Sequence, residues 1–200
     1  MKDKKLSIGI TGNIGSGKST FCNFIKTQNY PVINADELAK KILTEDEHVK
    51  KKIIKSFGEE SYADGILNKT YLAQNVFSNP AKVLKINSIV HPILIEQNKK
   101  LVNKLFEKSR LVFTEAALIY EADMEAEFDY VVLVSAVLEN RKNRVTASGK
   151  LSEEEFLRRD SNQIPEEEKK KRADFIFENN GSESDLKSKA DFLLMILNNL

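Results

Sequence analysis

A glycine-rich segment near the start of the chain constrains the fold more than any other feature. Residues 12–19 read Gly-Asn-Ile-Gly-Ser-Gly-Lys-Ser, which matches the pattern G-x-x-x-x-G-K-[ST]. Alternating apolar residues over 6–10 predict a strand before it. After it, Phe21, Phe24 and Ile25 have the spacing of a helix face. A strand, a glycine turn and a helix in this order predict a phosphate-binding loop, whereas an ordinary turn before a helix is the simpler alternative.

The chemistry of this loop suits the phosphates of ATP. Backbone N–H groups of the turn converge on an anion, and the start of the helix adds positive potential. Lys18 would neutralise the β- and γ-phosphates, Ser19 would offer a hydroxyl to Mg²⁺, and Thr20 lies near the α-phosphate. The residues predicted to contact ATP are Gly12, Asn13, Ile14, Gly15, Ser16, Gly17, Lys18, Ser19 and Thr20.

Four further apolar segments predict the rest of a sheet. The continuous apolar runs at 111–115 and 130–134 are typical of strands buried on both faces of a parallel sheet. Shorter runs at 30–33 and 175–177 predict two more strands. Because strands alternate with helices, we expect an α/β fold with a parallel five-stranded sheet flanked by helices.

The segment between the second and third of these strands has a mostly helical pattern, from Glu47 to Lys108. Asp64-Gly65 predicts a turn within it, and Asn79-Pro80 a break between helices. His91-Pro92 is expected to interrupt the long helical region that follows. The pattern therefore predicts a helical insertion in the nucleotide-binding core.

Composition excludes several classes of protein. The chain is 41% apolar and 30% charged, with 31 basic and 30 acidic residues, which is typical of a soluble globular protein and favours neither nucleic acid nor an anionic membrane as partner. A single cysteine, Cys22, excludes a disulfide framework and a multi-cysteine zinc site. No apolar run approaches the roughly 20 residues of a membrane span, and 6–10 is too short for a signal peptide. We therefore expect a cytoplasmic protein.

The loop alone does not specify a reaction. A GTPase would carry a D-x-x-G segment and an N-K-x-D loop, but residues 68–71 read Asn-Lys-Thr-Tyr. Larger ATPases would end a strand on an acidic residue, and Glu115 is the comparable residue here. The chain length, the helical insertion and the later arginines favour a small kinase, which needs a cover that keeps water from ATP.

Several motifs then occur in the order and spacing of one family. The chain resembles dephospho-CoA kinases over about residues 6–197. The resemblance rests on 8–20, 32–36, Phe57-Gly58, Asp64-Gly65, Leu67, 87–92 (Asn-x-x-x-His-Pro), 117–121, Gln163, Glu168-Lys169, Ala173-Asp174 and 179–181.

This resemblance implies a P-loop NTPase fold with an inserted helical substrate domain and a lid. The implied nucleotide core is about 1–45, 110–137 and 173–200, the helical part about 46–109, and the lid about 138–172. The implied reaction is ATP- and Mg²⁺-dependent phosphorylation of the ribose 3′-hydroxyl of dephospho-CoA, the last step of coenzyme A biosynthesis. We expect small-molecule substrates and no nucleic acid, membrane or obligate protein partner.

The resemblance also assigns roles to Asp36 and Arg144. Asp36 would hold or deprotonate the attacking hydroxyl, although an aspartate here also suits a helix N-cap. Arg144 would neutralise the transferring phosphoryl group from the lid and contact ATP. Nearby Arg141, Arg158 and Arg159 could share that task or form a solvated helix face, as the charged run at 169–172 is expected to do.

The chain departs from the family pattern at three positions. Asn34 replaces an aspartate, which removes a second carboxylate for Mg²⁺ or substrate. Lys40 and Ser148 replace arginines, so that a bidentate contact and a lid charge are lost. Lys150 or Arg141 could supply the lid charge.

Four weaker candidates each keep two interpretations. Glu115 either helps place Mg²⁺ through water or is a buried carboxylate. His91 is structural or contacts substrate, and Asn180 and Gly181 either touch adenine or form an ordinary turn. Cys22 is expected to be a small buried residue.

Two other functions stay open beside the kinase. One is phosphorylation of another small metabolite or of a nucleoside monophosphate. The other is a regulatory module that uses ATP as a switch and transfers nothing. ADP release with and without an acceptor distinguishes the three.

Overall fold

The computed structural model describes residues 4–76, 79–149 and 151–200. The strands are Leu6–Thr11 (β1), Val32–Asn34 (β2), Tyr62–Ala63 (β3), Ile66–Leu67 (β4), Leu111–Glu115 (β5), Tyr130–Ser135 (β6) and Phe175–Glu178 (β7). The helices are Lys18–Thr27 (α1), Ala35–Glu45 (α2), Glu47–Phe57 (α3), Lys69–Asn75 (α4), Pro80–Leu105 (α5), Leu138–Ala147 (α6), Glu153–Asp160 (α7), Glu166–Arg172 (α8) and Glu183–Asn198 (α9).

The described residues form two compact units. One contains the described residues up to Asn34 together with those from Leu101 onward, and the other is Ala35–Lys100. The boundaries expected for the helical part and the lid stay predictions. None of the helices described is long and apolar enough to cross a membrane.

A parallel sheet of five strands forms the centre of the larger unit. Its order is β2-β5-β1-β6-β7, with Ile8 paired to Phe113 on one side of β1 and Ile10 paired to Val132 on the other. The predicted α/β fold with five parallel strands is confirmed. Because parallel strands end at the same edge, the loop after central β1 lies at the edge where such folds bind ligands.

The core of this unit explains why these segments form a sheet. Every residue of β1 and β5 is buried, as expected for strands covered on both faces of a parallel sheet. Phe21, Cys22 and Ile25 of α1 are fully buried and belong to one apolar cluster with β1 and α9. Burying each large side chain contributes about 1.5–3 kcal/mol. Cys22 is therefore the small core residue that the sequence predicted.

The smaller unit contains a hairpin that the helical pattern did not predict. Strands β3 and β4 pair antiparallel across Asp64 and Gly65, which both have positive φ, at 51° and 78°. The predicted turn is confirmed, but two-residue strands are too short to produce a periodic pattern. Asn79 also acts as predicted, because its Oδ1 accepts from the amides of Ala81 and Lys82 at the start of α5.

The predicted interruption at His91-Pro92 is wrong. Helix α5 continues through Pro92. Proline removes one helical N–H but holds a φ close to the helical value, so the helix can continue where packing supports it. The buried side chains of Ile89, Val90 and Leu94 provide that support. His91 is half-buried within the helix.

Candidate active site

The phosphate-binding loop joins β1 to α1 and needs glycine for its shape. Gly15 has φ 78°, and a Cβ there would lie 2.4 Å from the carbonyl oxygen of Arg141. Gly12 has φ 154°, and a Cβ there would lie 2.1 Å from the carbonyl oxygen of Val134. No side chain fits at either position, because the atoms in the way belong to the main chain. The predicted strand-turn-helix arrangement is confirmed.

The start of α1 carries the polar groups expected for phosphate and metal. Lys18 Nζ donates to the carbonyl oxygen of Gly12 at 2.8 Å, so its charge lies against the loop. Ser19 is exposed, and its hydroxyl donates to Glu115 Oε1 at 2.6 Å. Glu115 is 6% exposed at the end of β5. The carboxylate is thus buried and bonded to the loop, while its metal role stays a prediction.

The donor set around Ser19 is of the kind that Mg²⁺ accepts with ATP. Mg²⁺ prefers oxygen ligands, and in nucleotide sites it takes one or two from protein and the rest from phosphates and water. The Ser19 hydroxyl and the Glu115 carboxylate supply such oxygens side by side. In the part of the chain that the structure describes, no three His, Cys, Asp or Glu side chains group into a metal site. Ser19 with Glu115 therefore fits a metal that arrives with the nucleotide.

Burial beside the Glu115 carboxylate also shifts the pKa of Cys22. Burial raises the pKa of the Cys22 thiol well above its usual value, and the negative charge of Glu115 raises it further. A buried thiol beside a carboxylate resists ionisation, because both surroundings disfavour the thiolate. Cys22 is thus a packing residue and a poor nucleophile.

A cavity of about 170 Å³ lies beside the loop on the side of β7 and α9. It is lined by Gly17, Thr20, Arg144, Asn179, Gly181, Glu183 and Leu186. Arg144 donates to the carbonyl oxygens of Asn179 at 2.7 Å and Gly15 at 3.4 Å. Partial burial lowers the pKa of the Arg144 guanidinium. The structure therefore brings Arg144 and Gly181 together at a cavity that includes two loop residues.

The two asparagines after β7 do different things. Asn179 is buried, and its Nδ2 donates to the carbonyl oxygen of Ser16 at 2.8 Å. Asn180 is exposed, and its Oδ1 accepts from the amide of Val137 at 2.9 Å. Sequence reasoning favoured Asn180 and Gly181 for ATP, yet Asn179 is the residue that bonds to the loop. Because both neighbours are asparagines, the sequence could not show which of them bonds to the loop.

The arginines of the predicted lid separate into different environments. Arg158 and Arg159 pair with Glu155 at 3.9 and 2.5 Å, and both are mostly exposed. These two arginines therefore form a solvated helix face, one of the two predicted alternatives. Arg141 is only 5% exposed and pairs with Asp160.

The predicted replacement of the missing lid arginine stays untested. Ser148 is exposed and donates to the carbonyl oxygen of Val145 at 2.8 Å, at the end of α6. Lys150 lies outside the described residues. Arg141 is engaged with Asp160, and whether it also supplies charge to ATP stays a prediction.

Asp36 belongs to the smaller unit and follows β2 by two residues. The N-cap interpretation of Asp36 is wrong, because α2 begins at Ala35 and Asp36 lies inside its first turn. Because α2 begins directly after Asn34, the N-cap position is that of Asn34 and not that of Asp36. Asp36 is exposed, and Lys40 pairs with Glu37 at 2.8 Å on the same helix.

A buried lysine was missed in the charged run at 169–172. Lys169 is fully buried, and its Nζ lies 2.8 Å from Glu121 Oε1, so this residue of the predicted solvated face is instead internal. Glu121 Oε1 also accepts from the amide of Ile164 at 2.9 Å. A buried charge is tolerated when it is paired. The only sequence signal was that both residues occur in the motifs shared with the family.

Comparisons with known proteins agree with this geometry. The family model described as dephospho-CoA kinase matches residues 6–185. A Thermus thermophilus protein named dephospho-CoA kinase is 40% identical over 183 residues, which are 90% of this chain and 85% of the relative. A crystal structure of a Thermus thermophilus protein has 37% identity and a TM-score of 0.82, over 97% of this chain and 98% of that one. The dephospho-CoA kinase from Campylobacter jejuni has 26% identity and a TM-score of 0.72, over 96% of this chain and 97% of that one.

Proposed function

The chain belongs to the dephospho-CoA kinase family, and we propose that its phosphate-binding loop, Asp36 and Arg144 perform the family's reaction. That reaction is the ATP-dependent phosphorylation of the ribose 3′-hydroxyl of dephospho-CoA, which gives coenzyme A and ADP in the last step of coenzyme A biosynthesis. The observation that carries the assignment of roles is the loop itself. Lys18 and the Ser19–Glu115 pair lie at the end of the sheet where open α/β folds bind ligands, and they supply a cation and oxygen ligands there, which supports these roles.

The donor side of the reaction rests on the loop and on Arg144. Loop amides and Lys18 hold the β- and γ-phosphates, and Ser19 with Glu115 would hold Mg²⁺, which neutralises charge on the phosphates when bound. Arg144 lines the cavity beside Gly17 and Thr20, which supports a contact with ATP. Replacing Arg144 with Ala should raise the KM for ATP and lower turnover, with little change in folding.

The acceptor side rests on Asp36. Its carboxylate accepts the proton of the 3′-hydroxyl as that oxygen bonds to the γ-phosphorus, and the bond from phosphorus to the bridging oxygen breaks to release ADP. A positioned general base contributes about 10²–10⁴-fold. Asp36→Asn should therefore lower kcat at least about 100-fold while the Kd for ATP stays within twofold.

Glu37 provides the matched control for Asp36. It is the next carboxylate in the same helical turn and pairs with Lys40 on the surface. Glu37→Gln should keep kcat within twofold. A kcat near wild type in Asp36→Asn would remove Asp36 from the mechanism.

The function is tested most directly by ADP release. Purified protein with Mg-ATP should release ADP strongly only when dephospho-CoA is added, with coenzyme A as product. AMP, adenosine and pantetheine phosphate serve as control acceptors. A folded, ATP-binding protein that no acceptor stimulates would favour the regulatory module instead.

We further propose that the reaction occurs in the cytoplasm with no obligate protein partner. A single cysteine, with no disulfide framework, suits a reducing compartment. Cell fractionation with an activity assay tests the location. Activity found mainly in a membrane or secreted fraction would contradict it.

A further inference from the structure

We propose that Arg141 is a positioning residue for the phosphate-binding loop, acting through its contacts with Ile14 and Asp160. Its Nη1 donates to the carbonyl oxygen of Ile14 at 3.3 Å and also to Asp160. Its Nε donates to the carbonyl oxygen of Ala136, just after β6, at 3.1 Å. One side chain thus joins the loop, the end of a central strand and the end of α7.

The charge of Arg141 is balanced inside the fold. Arg141 is only 5% exposed, and Asp160 accepts from both Nη1 and Nη2. Glu166 Oε2 lies 3.9 Å from Nε and accepts from the amide of Ala136 at 3.3 Å. A buried cation needs partners in a definite geometry, and the planar guanidinium presents five donors in a fixed fork, whereas a lysine presents three on one rotatable nitrogen. Two carboxylates and two carbonyls therefore hold this guanidinium in one orientation.

Ile14 is held from both sides of its backbone. Its carbonyl oxygen accepts from Arg141, and its N–H donates to Gln163 Oε1 at 2.8 Å. The neighbouring Asn13 donates through Nδ2 to the carbonyl oxygen of Ile164 at 3.4 Å. These partners lie 127 to 151 positions away in the chain. The first half of the loop, residues 12–16, is thus positioned by the segment from α6 to α8 in addition to its own glycines.

The proposal rests on the kinase function, because it predicts an effect on the binding of ATP phosphates. Donors that are aligned in advance lose much of their effect when they shift by about 1 Å. Replacing Arg141 releases Ile14 on one side, so the amides that follow it lose their alignment. The contacts of Arg141 all lie within the larger unit, outside the helical unit in which the acceptor is proposed to bind. The substitution should therefore weaken the binding of ATP and leave the KM for dephospho-CoA unchanged.

The main test compares Arg141→Ala with Lys142→Ala. Lys142 is the next cation on α6, and it pairs with Glu139 and Glu153 at 3.1 Å, so it also joins α6 to α7. Arg141→Ala should raise the KM for ATP and the Kd for ADP about tenfold and leave the KM for dephospho-CoA within twofold. Hydrogen exchange in the peptide that contains residues 12–17 should become faster. Lys142→Ala should match wild type in all four measurements.

A second variant keeps the proposal testable if Arg141→Ala does not fold. Asp160→Ala leaves the arginine in place and removes its main partner, and it should raise the Kd for ADP about threefold. In the double variant the effect should equal that of Arg141→Ala alone, because both residues act through one contact.

Two results would overturn the proposal. One is a folded Arg141→Ala variant with a lower Tm but wild-type Kd for ADP and wild-type exchange at residues 12–17, which would make Arg141 structural only. The other, if Arg141→Ala is unfolded, is an Asp160→Ala variant with unchanged Kd and exchange. Neither ADP binding nor exchange requires turnover, so a failure of the kinase assignment is seen separately, as absent ADP release in wild type.

Discussion

The two halves of the phosphate-binding loop reach their positions in different ways. The second half, Gly17–Thr20, is the N-cap and first residues of α1, and its geometry follows largely from local helix formation. The first half, residues 12–16, depends on bonds to Arg141, Gln163 and Asn179, from 127 to 163 positions away. The difference shows that a short motif can specify which residues touch the nucleotide, while distant residues specify how the loop is held.

Lys18, in the second half, should give the largest effect. Removing one preorganised donor that stabilises charge in a transition state lowers kcat by about 10²–10³-fold. Lys18→Ala should show a loss of this size in ADP release. Lys26→Ala, in the exposed last turn of the same helix, should stay within twofold. A kcat within tenfold of wild type for Lys18→Ala would contradict the role of the second half.

The next largest effect, on stability, is expected at Gly15, where the first half of the loop lies against Arg141 of α6. Gly15 and Gly65 share φ 78°, but a Cβ at Gly15 would meet the Arg141 carbonyl at 2.4 Å, whereas nothing lies within 4 Å at Gly65. Gly65→Ala should cost about 1–2 kcal/mol of stability from the left-handed backbone alone. Gly15→Ala should cost about 2 kcal/mol more, because overpacking against main chain adds to it. Urea unfolding measures both, and equal losses would show that α6 does not restrain the loop.

A smaller effect is expected at Asn179. Asn179→Ala leaves the Ser16 carbonyl without its side-chain donor, and an unsatisfied buried group costs about 1–3 kcal/mol. Asn180→Ala, at the exposed neighbour, should change the free energy of unfolding by less than about 0.5 kcal/mol. Similar values for the two variants in urea unfolding would mean that the long-range bond to Ser16 contributes nothing.

The smallest change is expected at Cys22, a buried residue of α1, the helix that follows the second half of the loop. Burial and the charge of Glu115 raise its pKa well above the usual value, so the thiolate stays scarce from pH 7 to pH 9. Iodoacetamide should leave the native protein unlabelled over this range and label it in urea, as mass spectrometry can show. Fast labelling of the native protein that increases with pH would contradict the buried position.

The centre of the sheet was predicted well because β1, β5 and β6 are buried almost throughout. Such strands are mostly apolar, so 111–115 and 130–134 could be located without knowing what covers them. The prediction at Pro92 failed because it concerned a feature that tertiary packing decides. Whether a proline ends a helix depends on the packing around it, and that packing comes from residues elsewhere in the chain.

The sequence by itself determined the phosphate-binding loop, the parallel sheet and the family motifs, because local spacing and continuous apolarity specify them. Only the tertiary structure decided what each charged residue does. Arg141 and Lys169 are buried and paired, whereas Arg158 and Arg159 lie in solvent, although all four belong to highly charged segments. The physical reason is that a charge can be buried only where opposite charges from other elements meet it. Those ion pairs form only in the folded chain and leave no periodic pattern in the sequence.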